Sequence, residues 1–328
     1  MMRRALVTGA TGGLGLALTA ALLEAGYAVR ATGRSVVAGE RLKAMGAEVV
    51  TGDLLRMDLA RVCKGVDAVF HAAALSSPWG PEAVFQRINV EATEALITAA
   101  RGAGCDAFIF VSSPSIYADF RDRIDLTEAD PATARPLNAY ARTKKEAEDR
   151  VLAADRPGFR TVAIRPRALI GPDDTVVLPR IVRLVRKGTL PVFRGGVARI
   201  DLTDVRDAAQ ALVLADRHRE VVGGRPVNIS GGRPVGVIDL AQQLARVLGV
   251  TPRLVPAPIA VMRVVAATSQ AVCSILPGQP EPVLTPYTLA TLAWSQTFDL
   301  TFARTALGYA PAHDPVGAAL RLAPGVPA

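Results

Sequence analysis

Short apolar runs alternate with helix-forming stretches through the first half of the chain. Ala5-Leu6-Val7-Thr8 precedes a helical stretch from Leu14 to Ala25 that stops at Gly26, a residue suited to the left-handed turn after a helix. Tyr27 to Thr32 reads as the next strand, 39–45 as a helix and Ala47 to Val50 as a third strand. Leu54 to Lys64 predicts another helix, Ala68 to His71 a fourth strand, Val84 to Ala103 a long helix and Ala107 to Ser112 a fifth strand. A helix from Tyr140 to Ala154 and a strand from Thr161 to Arg165 extend the series. Short strands regularly separated by helices are the pattern of a parallel sheet covered on both faces. The expected fold class is α/β, a Rossmann-type doubly wound parallel sheet with a smaller, mostly C-terminal substrate-binding region.

After Pro166 the rhythm loosens, with Pro172, Pro179 and Pro191 breaking it up. Helices are predicted over Arg180 to Lys187, Val205 to Ala215 and Asp239 to Leu248, the last stopped by Gly249. An apolar helix over 259–276 ends at Pro277-Gly278-Gln279-Pro280, and 311–328 reads as a loose tail. The expected division is a dinucleotide-binding core over 1–170 and a mainly substrate-binding region over 171–328. Segments around 200–230 are expected to return to the core.

Composition narrows the classes. At roughly 150 residues per domain, 328 residues suit about two domains. Hydrophobic residues at 50% and charged residues at 21% exclude global disorder. The charge of +8 is scattered, and aromatics at 5% form no interleaved basic stripe. No nucleic-acid partner is expected, and local Arg positions fit a phosphate-bearing cofactor better. Cys63, Cys105 and Cys273 lack redox or metal spacing, and His71, His218 and His313 lie far apart. No metal site is expected, and the thiols read as reduced in a cytoplasmic protein. The start of the chain runs straight into a strand and reads as no secretion signal. The stretch 258–276 contains Arg263, Ser269, Gln270 and Ser274, so it falls short of a membrane span. It stays open between core packing, a substrate lid and contact with a membrane surface.

Gly9-Ala10-Thr11-Gly12-Gly13-Leu14-Gly15 sits between the first strand and the first helix. Gly9 permits the tight turn, Gly12 lets the backbone approach a pyrophosphate, and Gly15 lets helix and sheet pack closely. The helix N-terminus then meets negative charge. The second strand ends Ala31-Thr32-Gly33-Arg34-Ser35, with no carboxylate for a ribose hydroxyl. Arg34 and Ser35 suit a 2′-phosphate, which favours NADP with NAD as the alternative. Arg30 would help if it pointed the same way. Asp53, beside Leu54, suits either the adenine amino group or an Asx turn. Ala72 and Ala73 leave room for a flat cofactor, and His71 reads as structural. Asn89 is expected to tie neighbouring loops.

Tyr140 and Lys144 are four apart, so on a helix they share one face. A nearby ammonium would favour the phenolate and equip Tyr140 to exchange a proton with a carbonyl oxygen. Ser113 follows the fifth strand, where ligands of parallel sheets sit. Ser112 and Ser115 compete for its role.

These pieces occur in the order seen in extended short-chain dehydrogenases/reductases, which the chain resembles over essentially its whole length. They are Gly9/Gly12/Gly15, Asp53, His71-Ala72-Ala73, Asn89, Ser113, Tyr140/Lys144, Arg165-Pro166, Gly171-Pro172, Asp204 to Asp207 and Leu307-Gly308-Tyr309. The resemblance implies a catalytic set of Ser113, Tyr140 and Lys144. It also implies cofactor contacts at Gly9, Thr11, Gly12, Gly13, Leu14, Gly15, Arg34, Ser35, Asp53, Leu54, Ala72, Ala73, Tyr140 and Lys144, and a homodimer. The stretches 74–80, 112–117, 165–172 and 282–286 look like the 3β-hydroxysteroid dehydrogenase-like branch, which includes sterol-4α-carboxylate 3-dehydrogenases and 2-alkyl-3-oxoalkanoate reductases. That branch implies an apolar carbonyl or alcohol substrate, often a β-keto or β-hydroxy acid. Trp79, Pro81 and the 258–276 helix would line a greasy cleft. Arg167 would meet a substrate carboxylate, or pair with Asp173 or Asp174. Pro114 and Ser115 stand where sugar dehydratases carry acids, so dehydration is not expected. The expected activity is NADP(H)-dependent ketone reduction or secondary-alcohol oxidation. An NAD-dependent nucleotide-sugar epimerase and a non-catalytic dinucleotide-binding protein are the alternatives.

Overall fold

Seven parallel strands form the centre of the computed structural model, which describes residues 2–327. They are β1 (Arg4–Thr8), β2 (Ala28–Gly33), β3 (Glu48–Thr51), β4 (Ala68–His71), β5 (Ala107–Val111), β6 (Arg160–Pro166) and β7 (Arg225–Ile229). Their order is β7-β6-β5-β4-β1-β2-β3. The order reverses between β1 and β4, where Thr8 pairs with both Thr32 and His71. A crevice opens beyond the strand ends at such a switch point.

Alternation along the strands builds the two faces. Val7, Phe70, Ile109 and Ile164 pack on one side with Leu16, Leu18, Leu22 and Leu212. Those leucines belong to α1 (Gly13–Glu24) and to the helix Val205–Arg217. Leu6, Val69, Phe108, Phe110 and Ala163 face the other way, toward Leu96, Ile97, Ala147 and Val151. The helices on that side are Ala92–Gly102 and Ala139–Ala153. In chain order α1 is followed by α2 (Val36–Ala44), α3 (Ala92–Gly102), α4 (Ala139–Ala153), α5 (Val205–Arg217), α6 (Val237–Val247) and α7 (Ile259–Ile275).

Several predicted boundaries change. The helix expected over 54–64 is only Leu59–Cys63, because Asp53 turns the chain and Asp58 caps the helix through the Arg61 amide. The long helix expected over 84–103 is interrupted by a π-turn at Gln86–Glu91. The 311–328 tail contains a helix, Pro315–Leu322, whose Ala318 and Ala319 join the core of the C-terminal region. The apolar helix α7 is not core. Val261, Val264, Val265, Val272 and Ile275 are exposed, and Ala266 alone of its residues is buried. No helix among the described residues is long and apolar enough to cross a membrane.

A second, four-stranded sheet runs Val235–Gly236, Arg199–Ile200, Gln296–Phe298, Arg123–Leu126. It ties a late segment of the chain to the stretch after β5.

An ion-pair cluster closes the opposite end of the main sheet. Arg3 reaches Asp216 at 2.7 Å and Asp106 at 2.5 Å, and the Tyr27 hydroxyl donates to Asp216 at 2.7 Å. Asp216 is fully buried, so β1, β2 and α5 meet on one charge. Asp216→Ala leaves Arg3 without its buried partner, and breaking such a pair costs about 3 kcal/mol or more. Urea unfolding of the two proteins checks this, and a loss below about 1 kcal/mol, the range of a surface pair, contradicts it.

Candidate active site

The glycine turn leaves β1 with Gly9 at φ +67°. A Cβ on Gly9 would lie 2.6 Å from the Ala73 nitrogen, and one on Gly15 would lie 2.2 Å from the Gly9 oxygen. Both contacts are with backbone, which cannot yield. Gly12 differs, since a Cβ there would meet only the Gly9 oxygen, at 3.5 Å. The space before it is open. Gly12 caps α1 without a side-chain bond, and the first turn holds no acid. The free amides there suit a phosphate. Leu14, at the start of α1, packs on the core below. The loop after Gly171 lies over Gly13, with Pro172 and Asp173 oxygens 3.1 Å from its Cβ position. Arg41 of α2 holds that loop through Asp173 at 2.9 Å.

Gly33 has no room for a side chain, because Thr11 Oγ1 would be 2.3 Å from its Cβ. The acid absent from the sequence there is therefore also excluded by packing. Arg34 is exposed and has no hydrogen-bond or ion-pair partner among the described residues. Ser35 Oγ accepts from the Ala38 amide at 3.2 Å and caps α2. Arg30 turns away instead, to Glu48 and to the Val62 and Lys64 carbonyls. Its conditional role at the nucleotide is thereby excluded. Asp53 accepts from the Leu55 amide at 3.0 Å, across Leu54. The Ala72 amide donates to the Thr8 carbonyl at 3.2 Å and the Ala73 amide to Thr8 Oγ1 at 3.4 Å, so this backbone is pinned beside the turn. An open anion cradle, small residues at 72 and 73 and an unpaired Arg34 fit a dinucleotide.

Tyr140 stands in the first turn of α4, which Asn138 caps through the Ala141 amide at 2.9 Å. Burial raises its phenol above the ordinary range, while the Ser113 and Ser76 hydroxyls pull it down. Ser113 lies just past β5, and its Oγ also accepts from the Ser115 amide at 3.2 Å. The structure thus brings Tyr140 and Ser113 together. Lys144 is elsewhere. Its Nζ donates to the Val111 carbonyl at 2.5 Å and lies 3.9 Å from the centre of the Phe110 ring. Burial brings its ammonium down to about 7, against the pull of Glu148. Ser112 is buried and Ser115 lies within the 3-10 turn, with neither hydroxyl partnered.

Asn89 joins the site's loops. It accepts from the Leu75 amide at 2.8 Å and donates to Thr143 Oγ1 at 3.1 Å. The segment carrying Ser76 is thereby tied to the helix carrying Tyr140. The π-turn places Asn89 there, a deviation common at functional sites.

Three residues escaped the sequence reading. Ser76 lies in a quoted stretch but has no motif of its own. Tyr287, in the helix Pro286–Ala293, sits within charge range of Tyr140 and Arg167. Glu148 lies one turn beyond Lys144, and that spacing on α4 was the only available signal.

A doubly wound sheet, an anion cradle and a serine-flanked tyrosine four residues before a lysine define an NAD(P)-dependent oxidoreductase. Residues 5–230 match the NAD dependent epimerase/dehydratase family, and the chain belongs to it. The 4-hydroxy-2-methyl-3-oxo-4-farnesyl-3,4-dihydroquinoline-1-oxide ketoreductase of Stigmatella aurantiaca is 33% identical, covering 94% of this chain and 92% of its own. The 2-alkyl-3-oxoalkanoate reductase of Stenotrophomonas maltophilia is 32% identical, covering 93% and 94%. Among solved structures, MoeE5 in complex with UDP-glucose and NAD is similar, at a TM-score of 0.75, 25% identity and 97% of each chain.

His71 backs this site without reaching it. It is fully buried between Thr8 at 2.6 Å and Thr93 at 2.9 Å. Burial, with the Lys144 charge, lowers it from 6.5 to about 3. The unfolded chain binds a proton in that window that the folded protein refuses, so stability falls as pH drops from 6.5 toward 3. At pH 5 this group alone costs about 2 kcal/mol relative to neutral pH. His71→Gln should flatten that dependence in urea unfolding at the two pH values. An unchanged slope assigns the acid sensitivity to other groups.

Proposed function

We propose that the protein is an NADP(H)-dependent ketone reductase, reversible as a secondary-alcohol dehydrogenase, acting on an apolar or β-keto substrate. The observation that carries this is the Tyr140 phenol between the Ser113 and Ser76 hydroxyls, beyond the strand ends that hold the glycine turn. The amides at Gly9 to Gly15, with Thr11 and Leu14, would hold the pyrophosphate. Asp53 and Leu54 would hold the adenine, and Ala72 and Ala73 would flank the nucleotide. Arg34 and Ser35 would take the 2′-phosphate, since Gly33 leaves no place for a carboxylate. When bound, the nicotinamide supplies hydride to the substrate carbon or accepts it.

The chain's own residues manage the oxygen. Ser113 Oγ donates a hydrogen bond to the carbonyl oxygen, and Tyr140 Oη gives it the proton. Ser76 orients the phenol. The Lys144 ammonium, one turn along the same helix, lowers the cost of the phenolate left behind and is placed to hold ribose hydroxyls. Trp294, Phe193, Phe120, Leu137, Met262 and Leu284 form an apolar cluster in the C-terminal region, consistent with a greasy substrate. The names of the two reductase relatives, each a 3-oxo compound with an alkyl or farnesyl group, support the same class.

A second reading, a nucleotide-sugar epimerase that retains NAD, draws on the likeness to MoeE5. The filled space over Gly33 and the free Arg34 favour the reductase.

Tyr140→Phe removes the proton donor and should lower kcat by roughly 100-fold or more, with NADPH affinity by fluorescence titration little changed. Near-full turnover contradicts the assignment. Arg34→Ala should weaken NADPH by roughly 10- to 100-fold and leave NADH nearly unaffected. Equal weakening of both nucleotides removes the phosphate role.

A further inference from the structure

We infer that Arg167 binds the substrate's carboxylate and so sets a preference for 3-oxo and 3-hydroxy acids over neutral ketones and esters. This rests on the ketone-reductase reading above.

Arg167 is a buried guanidinium without a counter-ion. The residue is 9% exposed, and its Nε is buried with no hydrogen-bond partner. It forms no ion pair with any described residue. Both acids that the sequence offered are engaged elsewhere. Asp173 is held by Arg41 at 2.9 Å and 3.0 Å. Asp174 accepts from the amides of Val176, Val177 and Leu178 at 2.7, 3.0 and 2.8 Å. Asp201 is the one acid whose charge reaches Arg167. It does not close an ion pair, and its Oδ2 accepts from the Phe298 amide at 2.9 Å. A guanidinium cannot escape burial by losing its proton. A folded protein that keeps one buried and unpaired bears a standing cost, which an arriving anion removes.

The backbone aims this charge at the site. The Arg167 amide still donates to the Ile229 carbonyl at 2.9 Å, so the β6–β7 ladder continues through it. Its carbonyl accepts from Thr203 Oγ1. By strand alternation Arg167 continues the row of Ala163 and Arg165, which faces α4. The neighbouring strand ends level with it, since the Ser112 amide donates to the Ile164 carbonyl at 2.7 Å. Ser113 and Arg167 therefore leave adjacent strand ends in the same direction. Tyr287 links the two groups, because its phenol feels the charges of both Arg167 and Tyr140. A ligand whose carbonyl meets Tyr140 and Ser113 thus has a planar, two-pronged cation at hand, and a carboxylate is the matching partner.

The test compares oxidation of a medium-chain 3-hydroxy acid and of its methyl ester with NADP⁺, by the full-length wild type, Arg167→Gln and Arg167→Lys. For the acid, kcat/KM should fall roughly 10- to 100-fold in Arg167→Gln, mainly through KM, with partial rescue by Arg167→Lys. Ester turnover and NADPH affinity should change by less than about threefold. The melting temperature of Arg167→Gln should equal or exceed that of the wild type, because an unpaired buried charge has been removed. Equal losses on acid and ester, with a lowered melting temperature, would make Arg167 a structural residue and overturn the assignment. Unchanged discrimination between acid and ester, with both turned over, overturns Arg167 alone. No wild-type turnover of acid, ester or matched ketone overturns the reductase reading and this assignment with it.

Discussion

Burying a guanidinium is costly unless its charge and its donors are matched, and Arg165 is matched by Glu148. The carboxylate accepts from Nε at 2.7 Å and from Nη2 at 2.5 Å, and Nη1 meets the Tyr117 hydroxyl. Both residues are buried. This fork-to-fork pair joins α4, the end of β6 and the 3-10 turn that follows Ser113. Every reacting group hangs from one of those elements. Lys144 lies one turn before Glu148 and Tyr140 two turns before it, so the pair sets where the helix presents them. Glu148 also keeps some positive charge on Lys144 that burial would otherwise remove.

Along this strand end, structural and functional charges separate by whether their needs are met. Arg165 is saturated, and Arg167, two residues on, is not. The same contrast holds at the nucleotide end. Arg30 is spent on Glu48 and two carbonyls, whereas Arg34 is unpaired. His71 is satisfied on both ring nitrogens by threonines, whereas the Tyr140 phenol faces two serine hydroxyls that can exchange partners. The protein spends its internal hydrogen bonds on the scaffold and leaves polar groups open where a ligand must supply the rest.

The central sheet was legible because each of its first six strands is a short apolar run between helices. The glycine turn was legible because backbone approach at Gly9 and Gly15 admits no other residue. The seventh strand escaped notice. Arg225-Pro226-Val227-Asn228-Ile229 has no local strand pattern, and its pairing with β6 is a tertiary event. The two-residue strands of the C-terminal half depend on neighbours far along the chain in the same way. The helix over 54–64 was overextended because an Asx turn at Asp53 outcompeted helical propensity. Tyr140 and Ser113 could be read from spacing and strand ends. Ser76 and Tyr287 could not, since each reaches the phenol only after separate segments fold together. Lys144 was expected to act directly on the phenol, but its Nζ is held by the Val111 carbonyl at 2.5 Å.

The most direct measurement is initial-rate oxidation of NADPH and NADH by the purified protein with aliphatic ketones, β-keto esters and cyclic ketones. A parallel assay would follow isomerisation of a UDP-hexose with no nucleotide added. Ketone-dependent oxidation that is faster with NADPH, with no change in the sugar, is the predicted result. Isomerisation of the UDP-hexose by the protein as purified, with no ketone turnover, would contradict the account.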